Sequence, residues 1–262
     1  MASLATDTIK PTNSLERVLA VLEVFSEQRL EWTVEELMAT LGHSRPTMYR
    51  YLKTLKDAGF IMYSRGSSVT LGPKVVEMDY LARRSDRLVS HALPHLKRLT
   101  ASDPCTAMLL RWYGSKILCV ASETSAPKPM SSYPRGRPMP LGRGAIPRSI
   151  MAFIPRSQLL PLVAQNLTEL TAVGLGTTVE EVVEALRMMR KSGYFVAYGE
   201  VTPGAVGIAA PIFDDRHYPI ASVCVTIAGS LVTGAQIDQI GTEVRRVALQ
   251  ISADRASARQ VT

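Results

Sequence analysis

Cysteine is scarce in this chain: Cys105, Cys119 and Cys224 are the only three. They are far apart, odd in number and never arranged as C-x-x-C, which speaks against a disulfide framework or a zinc site. Each sits in an apolar run, where a thiol serves as a small buried hydrophobe. Histidine is nearly as rare. Of His43, His91, His95 and His217, only His91 and His95 stand four residues apart, and neither an H-E-x-x-H nor a clear third ligand accompanies them. No serine lies in a G-x-S-x-G elbow, and no phosphate-binding or dinucleotide loop occurs. No catalytic residue, metal ligand or cofactor site is therefore expected. Long hydrophobic runs are missing too: charge or glycine interrupts every apolar segment well short of a membrane span. The opening MASLATDTIKPTNS lacks a signal-peptide pattern. Together these absences predict a soluble, cytoplasmic protein that does not act as an enzyme.

What the chain does have is length for a small domain plus a medium one, at 262 residues, and 46% apolar residues to fill their cores. Its net charge of +7 favours polyanionic partners without proving them. The charge is uneven. Residues 1–100 carry 14 basic and 11 acidic side chains, whereas 111–156 carry eight basic residues against Glu123 alone. The strongest basic stretch thus lies outside the N-terminal region.

Residues 1–13 read as a disordered tail. Ser14 then caps a helix with Leu15, Val18, Leu19, Leu22 and Phe25 at helical spacing, ending near Gln28–Arg29. Thr33 and Glu36 form a capping box for a second helix, with Leu37 and Leu41 inward and Gly42 as its stop. Ser44 caps a third, with Pro46 in its first turn and a buried stripe of Met48, Leu52 and Leu55, ending at Gly59. Phe60–Tyr63 and Val69–Leu71 make a small hairpin. A helix from Pro73 is the candidate linker. Later runs alternate: a hairpin around 112–115, a Pro/Arg/Met-rich stretch at 126–143, helices at 144–153, 156–165 and 178–192, strands at 194–198, 208–213 and 220–227, and a closing helix capped by Thr233. The expected class is α+β: a winged helix-turn-helix over 14–72, a linker helix over 73–84 and a sensing domain over 85–262.

The segment Thr33–Gly59 carries the functional reading. A helix-turn-helix needs a short helix, a tight turn and a second helix that buries one face and offers the other to the major groove. Arg45, Thr47, Arg50 and Lys53 lie off the Met48/Leu52/Leu55 stripe at the end from which recognition helices contact bases. Ser44 and Tyr49 suit phosphate contacts, and Arg65 at the hairpin tip suits a wing. The partner this implies is double-stranded DNA.

The stretches SLERVLAVLEVFSE, WTVEELMATLGHSRPTMYRYLKTLKDAGFI, LGPKVVEM, PMPLGRGAIPRSIMAFIP, KSGYFVAYGEVTPGAVGIAAPIFDD and SVCVTIAG resemble, in order and spacing, the IclR family of transcription regulators. That resemblance implies a winged N-terminal domain, a dimerising linker helix and a GAF-like C-terminal domain. It also implies a homodimer or dimer of dimers on a pseudo-palindromic operator, sensing a small organic acid, with repression of a catabolic operon as the commoner behaviour.

In typical members a P-L-H-A-T-x-x-G-K-A segment offers backbone N–H groups to a ligand carboxylate. Here Pro140–Ser149 replaces the His with Gly142 and the Gly before the Lys with Pro147. An Asp and a Cys that help hold small oxo-acids align with Ala197 and Gly207, and two serines align with Thr226 and Ala228. The expected pocket is less polar and roomier, suited to an aromatic or bulky acid. Its expected residues are Met130, Met139, Arg143, Gly144, Ala145, Ile146, Glu200, Gly207, Cys224 and Thr226, with Arg143 pairing to the ligand carboxylate. Two other readings stand beside this one: a sensory protein acting through protein partners, and an enzyme with an appended helix-turn-helix.

Overall fold

The computed structural model describes residues 13–64 and 66–260, the side chains of 256–260 aside. The expected tail therefore falls outside the described residues apart from Asn13, and Arg65 falls outside them altogether. The chain divides into two compact units, Met1–Ser85 and Asp86–Thr262.

In the first unit, α1 (Ser14–Glu23) is capped not by Ser14 but by Asn13, whose side chain accepts the Glu16 N–H at 2.9 Å. The helix stops earlier than its apolar spacing predicts. Ser26 and Arg29 exchange backbone hydrogen bonds of 3.1 and 3.0 Å, which turns the chain sharply. That turn carries Trp32 to the hairpin, where it exchanges backbone bonds with Val69. The Arg29 guanidinium lies 3.6 Å over the Trp32 ring. Helix α2 (Val34–Leu41) has both halves of the Thr33/Glu36 capping box and ends on Gly42 at φ +67°. Helix α3 (Arg45–Asp57) follows a two-residue turn. Strands β1 (Ile61–Tyr63) and β2 (Val69–Leu71) pair antiparallel as the wing. Val21, Trp32, Leu37, Met48, Tyr51, Leu52, Leu55, Ile61 and Val69 form one core. Helix α4 (Pro73–Ser85) buries no residue of its own.

The second unit is built on one antiparallel sheet. Strands β3 (Cys105–Trp112), β4 (Ile117–Thr124), β5 (Phe195–Tyr198), β6 (Ala205–Phe213) and β7 (Pro219–Ala228) lie in the order β4-β3-β7-β6-β5. Both faces are covered, so β3, β6 and β7 read as nearly continuous apolar runs rather than alternating ones. On one face pack α5 (Arg87–Leu99), capped by Asp86, and α10 (Gly234–Gln260). On the other pack α6 (Ala145–Met151), α7 (Arg156–Gln165), α8 (Leu167–Ala172) and α9 (Val179–Met189). Helix α8 has no counterpart in the sequence reading, because six residues are too few to show a helical period.

The wing is held to α3 through Gly72. Its N–H donates to the Phe60 carbonyl at 2.7 Å, and a Cβ there would stand 2.3 Å from the Gly59 carbonyl oxygen. Backbone cannot yield as a side chain can. Gly72→Ala is expected to destabilise this unit by about 1–3 kcal/mol in urea unfolding followed through Trp32 fluorescence. An unmoved midpoint would mean that the turn relaxes freely.

Candidate DNA interface and effector cavity

Helix α3 is divided along its length. Met48, Tyr51, Leu52 and Leu55 are buried, while Arg45, Tyr49, Arg50 and Lys53 are exposed and Thr47 is half-buried. Ser44 precedes the helix, exposed, and its hydroxyl donates to Thr47 Oγ1 at 3.0 Å instead of capping. Arg45 meets Glu35 of α2 at 3.3 Å, with both side chains about two-thirds exposed. Such a pair is worth at most about 1 kcal/mol and gives way to a better anion. The six expected reading residues thus share one solvent-facing surface.

The second unit encloses a small cavity between the sheet and the start of α6. Eight of the ten expected pocket residues line it: Met139, Gly144, Ala145, Ile146, Glu200, Gly207, Cys224 and Thr226. Met130 does not; its N–H instead donates to Thr106 Oγ1 at 2.9 Å. Arg143 does not either. It is exposed and stands outside the cavity lining, whereas its neighbours Gly142 and Gly144 are buried. The buried cation here is Arg148 on α6, which the sequence reading passed over. It is 5% exposed, and its Nη2 donates to Glu200 Oε2 at 2.6 Å. The same oxygen accepts the Gly144 N–H at 2.8 Å. An arginine inside an otherwise apolar helical run was the available signal, since such a charge needs a buried partner.

The expectation of a roomy pocket is corrected. The cavity holds about 40 Å³, space for a few waters at most. Tyr133, Met139, Ile146 and Val201 fill the rest, and a Cβ on Gly144 would stand 2.8 Å from Val201 Cγ2. Among the described residues no group of three or more His, Cys, Asp or Glu could hold a metal ion, and no helix is long and apolar enough to cross a membrane.

Residues 14–64 match the model of the IclR helix-turn-helix domain, and residues 80–253 match that of the bacterial transcriptional regulator IclR C-terminal domain. The chain belongs to the IclR family. It is 25% identical to the HTH-type transcriptional regulator KipR of Bacillus subtilis, with 89% of this chain and 93% of KipR aligned. It is 26% identical to XynR of Escherichia coli (91% and 95%) and 23% identical to the HTH-type transcriptional repressor AllR of that species (93% and 90%). Its fold matches an IclR regulator from Alicyclobacillus acidocaldarius at TM-score 0.73 and 23% identity, covering 92% and 97% of the two chains. It also matches an IclR homologue of Microbacterium hydrocarbonoxydans, complexed with 4-hydroxybenzoate, at TM-score 0.74 and 23% identity (93% and 100%). The protein is thus a ligand-responsive transcriptional regulator and not an enzyme.

Gly142 leaves no room for a side chain, since a Cβ there would lie 2.4 Å from Cβ of Glu169 on α8. Ala197 and Gly207 are direct partners across β5 and β6, and Gly207 faces Thr226 on β7. Ala197, Gly207 and Thr226 therefore fall in one row across three strands. Half of the basic residues of 111–156 are absorbed into the fold, and Lys116, Lys128, Arg143 and Arg156 are exposed. Arg111 pairs with Asp86 at 2.6 Å, Arg135 donates to the Val120 carbonyl, and Arg137 donates to the Ser132 carbonyl and lies 4.8 Å over the Tyr133 ring.

Cys105, Cys119 and Cys224 are all buried and unbridged. Burial pushes the Cys224 thiol up to about 12 and the Cys119 thiol up to about 11, and it raises Cys105 as well. The thiolate, the reacting form, is then a fraction of about one in ten thousand for Cys224 at pH 8. In the folded IclR protein none of the three is expected to react with a disulfide reagent such as dithionitrobenzoate within minutes at pH 8. All three should react in guanidinium. A rapidly labelled thiol in the native state would contradict this packing.

Proposed function

We propose that this regulator is a cytoplasmic homodimer, or dimer of dimers, that reads a pseudo-palindromic operator with paired α3 helices. We also propose that it represses a catabolic operon until a small organic acid enters the C-terminal unit. The observation that carries the reading is the cationic, hydroxyl-bearing face of α3, held outward by its buried opposite side. In this account Arg45 and Arg50 contact bases, Thr47 contacts a base or phosphate, and Ser44, Tyr49, Lys53 and the wing residue Arg65 contact the backbone. The boundaries that go with it are 14–72 for DNA binding, 73–84 for the linker and 85–262 for sensing.

Dimerisation is supported by α4. Val76, Met78, Tyr80 and Leu81 are all about half exposed or more, an apolar surface that a lone helix does not keep in water without cause. A second copy of the same helix would cover it, and the two-fold so made gives paired half-sites. Repression accords with the repressor AllR, and an aromatic acid accords with the homologue that holds 4-hydroxybenzoate. Because the cavity holds only about 40 Å³, ligand entry must widen it, and differential affinity for the widened form is what would shift the DNA-binding equilibrium.

A gel-shift against the region upstream of the protein's own gene tests the proposal. Retardation by the intact chain is expected, and Arg45→Ala or Arg50→Ala should weaken it by about 1–3 kcal/mol, roughly 5- to 150-fold. Unchanged affinity in both variants would remove α3 from the role of reading helix. Absence of any DNA binding would favour action through protein partners.

A further inference from the structure

We propose that Glu200 is a built-in carboxylate ligand: it fills an anion subsite formed by the Arg148 guanidinium and the Gly144 N–H, and an organic acid binds this protein by taking its place. The second half of that statement rests on the ligand-responsive reading above; the subsite itself does not.

Four observations lead there. First, one oxygen of Glu200 takes both donors, Gly144 N at 2.8 Å and Arg148 Nη2 at 2.6 Å. Second, Arg148 cannot do without an anion. It is 5% exposed on a helix whose seven residues are all buried, its Nη1 meets only the Val196 carbonyl at 3.2 Å, and its Nε has no partner. A guanidinium so enclosed is strongly destabilising when unpaired. Third, Glu200 is the one acidic side chain that lines the cavity, and no lysine or arginine lines it. A ligand carboxylate arriving beside it finds both donors, the Arg148 Nη2 and the Gly144 N–H, already taken by Glu200. An acid is accommodated only if Glu200 withdraws and hands over its two donors, a like-for-like exchange that keeps Arg148 paired. Fourth, the geometry favours Glu200 as the mover. Arg148 is fixed on α6, whereas Glu200 lies in the turn between β5 and β6, flanked by Gly199 at φ +65° and Gly204 at φ +73°. These are conformations that glycine adopts freely.

The exchange also supplies room and a route outward. The cavity, at about 40 Å³, has no space for an organic acid while Glu200 stays in it. Thr202, two residues on, is bonded to Ser132 through its hydroxyl at 2.9 Å. Withdrawal of the turn therefore pulls on the 131–133 segment, whose Ser131 and Tyr133 form another wall of the cavity.

Chemical rescue with a small acid tests this on the full-length protein. In sodium chloride, Glu200→Ala should lower the Tm of the C-terminal unit by about 5–10 °C, the consequence of an unpaired buried arginine. Sodium acetate at equal ionic strength should raise the Tm of that variant by about 2–4 °C over chloride, by filling the vacated subsite. The wild type and the double variant Arg148→Met, Glu200→Ala should show no such acetate-specific rise. No rise in Glu200→Ala, or an equal rise in the wild type, overturns the proposal. Should Glu200→Ala not fold, Glu200→Ser keeps a small polar residue in the turn and still vacates the subsite. It must then show an acetate-specific rise that the wild type lacks, and a response equal to wild type overturns the proposal in the same way. Operator binding by the wild type is measured alongside. Its absence would defeat the regulatory reading and leave the subsite standing, whereas failed rescue with intact operator binding would defeat the subsite alone.

Discussion

A helix that reads DNA must be fixed on one side and free on the other, and the burial of Met48, Tyr51, Leu52 and Leu55 imposes this on α3. Each fully buried side chain of this size contributes about 1.5–3 kcal/mol, and Met48 and Leu55 each stand three or four residues from both Tyr51 and Leu52, so the four lock the rotation of the helix about its own axis. Turning α3 to hide Arg50 or Lys53 would expose those apolar groups and bury cations without partners, two large penalties at once. The side chains offered to DNA are thus set by the ones that are not offered. The Ser26–Arg29 turn, the Trp32–Val69 pairing and the Gly72 contact hold the same small core from its other sides.

The second unit solves a different problem. Its sheet is covered by α5 and α10 on one face, where the packing is wholly apolar in its buried residues apart from His95 beside α10. The other face carries Arg148, Ser149, Ser222 and Thr226 among its buried groups, and the cavity lies there. Polar groups are tolerated only where partners reach them. Ser149 donates to Ser222 at 2.8 Å, and Arg148 and Glu200 are paired. That makes this face the costlier to build and the readier to respond, because a charge pair can be exchanged for another while an aliphatic contact cannot. Part of the basic stretch reflects the same economy: Arg111, Arg135 and Arg137 hold loops and strand ends together, while Lys116, Lys128, Arg143 and Arg156 stay exposed.

Local rules made the N-terminal unit legible from sequence. Capping pairs, a proline in a first turn and glycine stops act over four residues or fewer, and the apolar stripe of α3 repeats with the helical period. Tyr51 escaped because its hydroxyl suggests exposure, although its ring is 4% exposed and stacks edge-on with His43 at 5.5 Å. The cavity was legible by resemblance, which found eight of its residues, but its electrostatics were not. Arg148 and Glu200 are 52 positions apart, and a pairing of that range leaves no periodic trace. Arg143 drew attention by standing in the loop that enters the cavity, yet it points to solvent because Gly142 and Gly144 take the inward places on either side. The volume was misjudged for a related reason: loss of polar side chains at Ala197 and Gly207 was read as space, whereas Met139, Tyr133 and Val201 close in.

The outward orientation of α3 is tested most directly by placing a DNA-cutting reagent on it. Thr47→Cys supplies a single accessible thiol in a protein whose own three are buried, and an iron chelate can be tethered there. On operator DNA the account predicts two clusters of strand cuts, related by the dyad and separated by about one helical turn or a multiple of it, roughly 34–36 Å per turn. Cutting that is absent, or scattered as the untethered reagent scatters it, would contradict the claim that this face enters the groove.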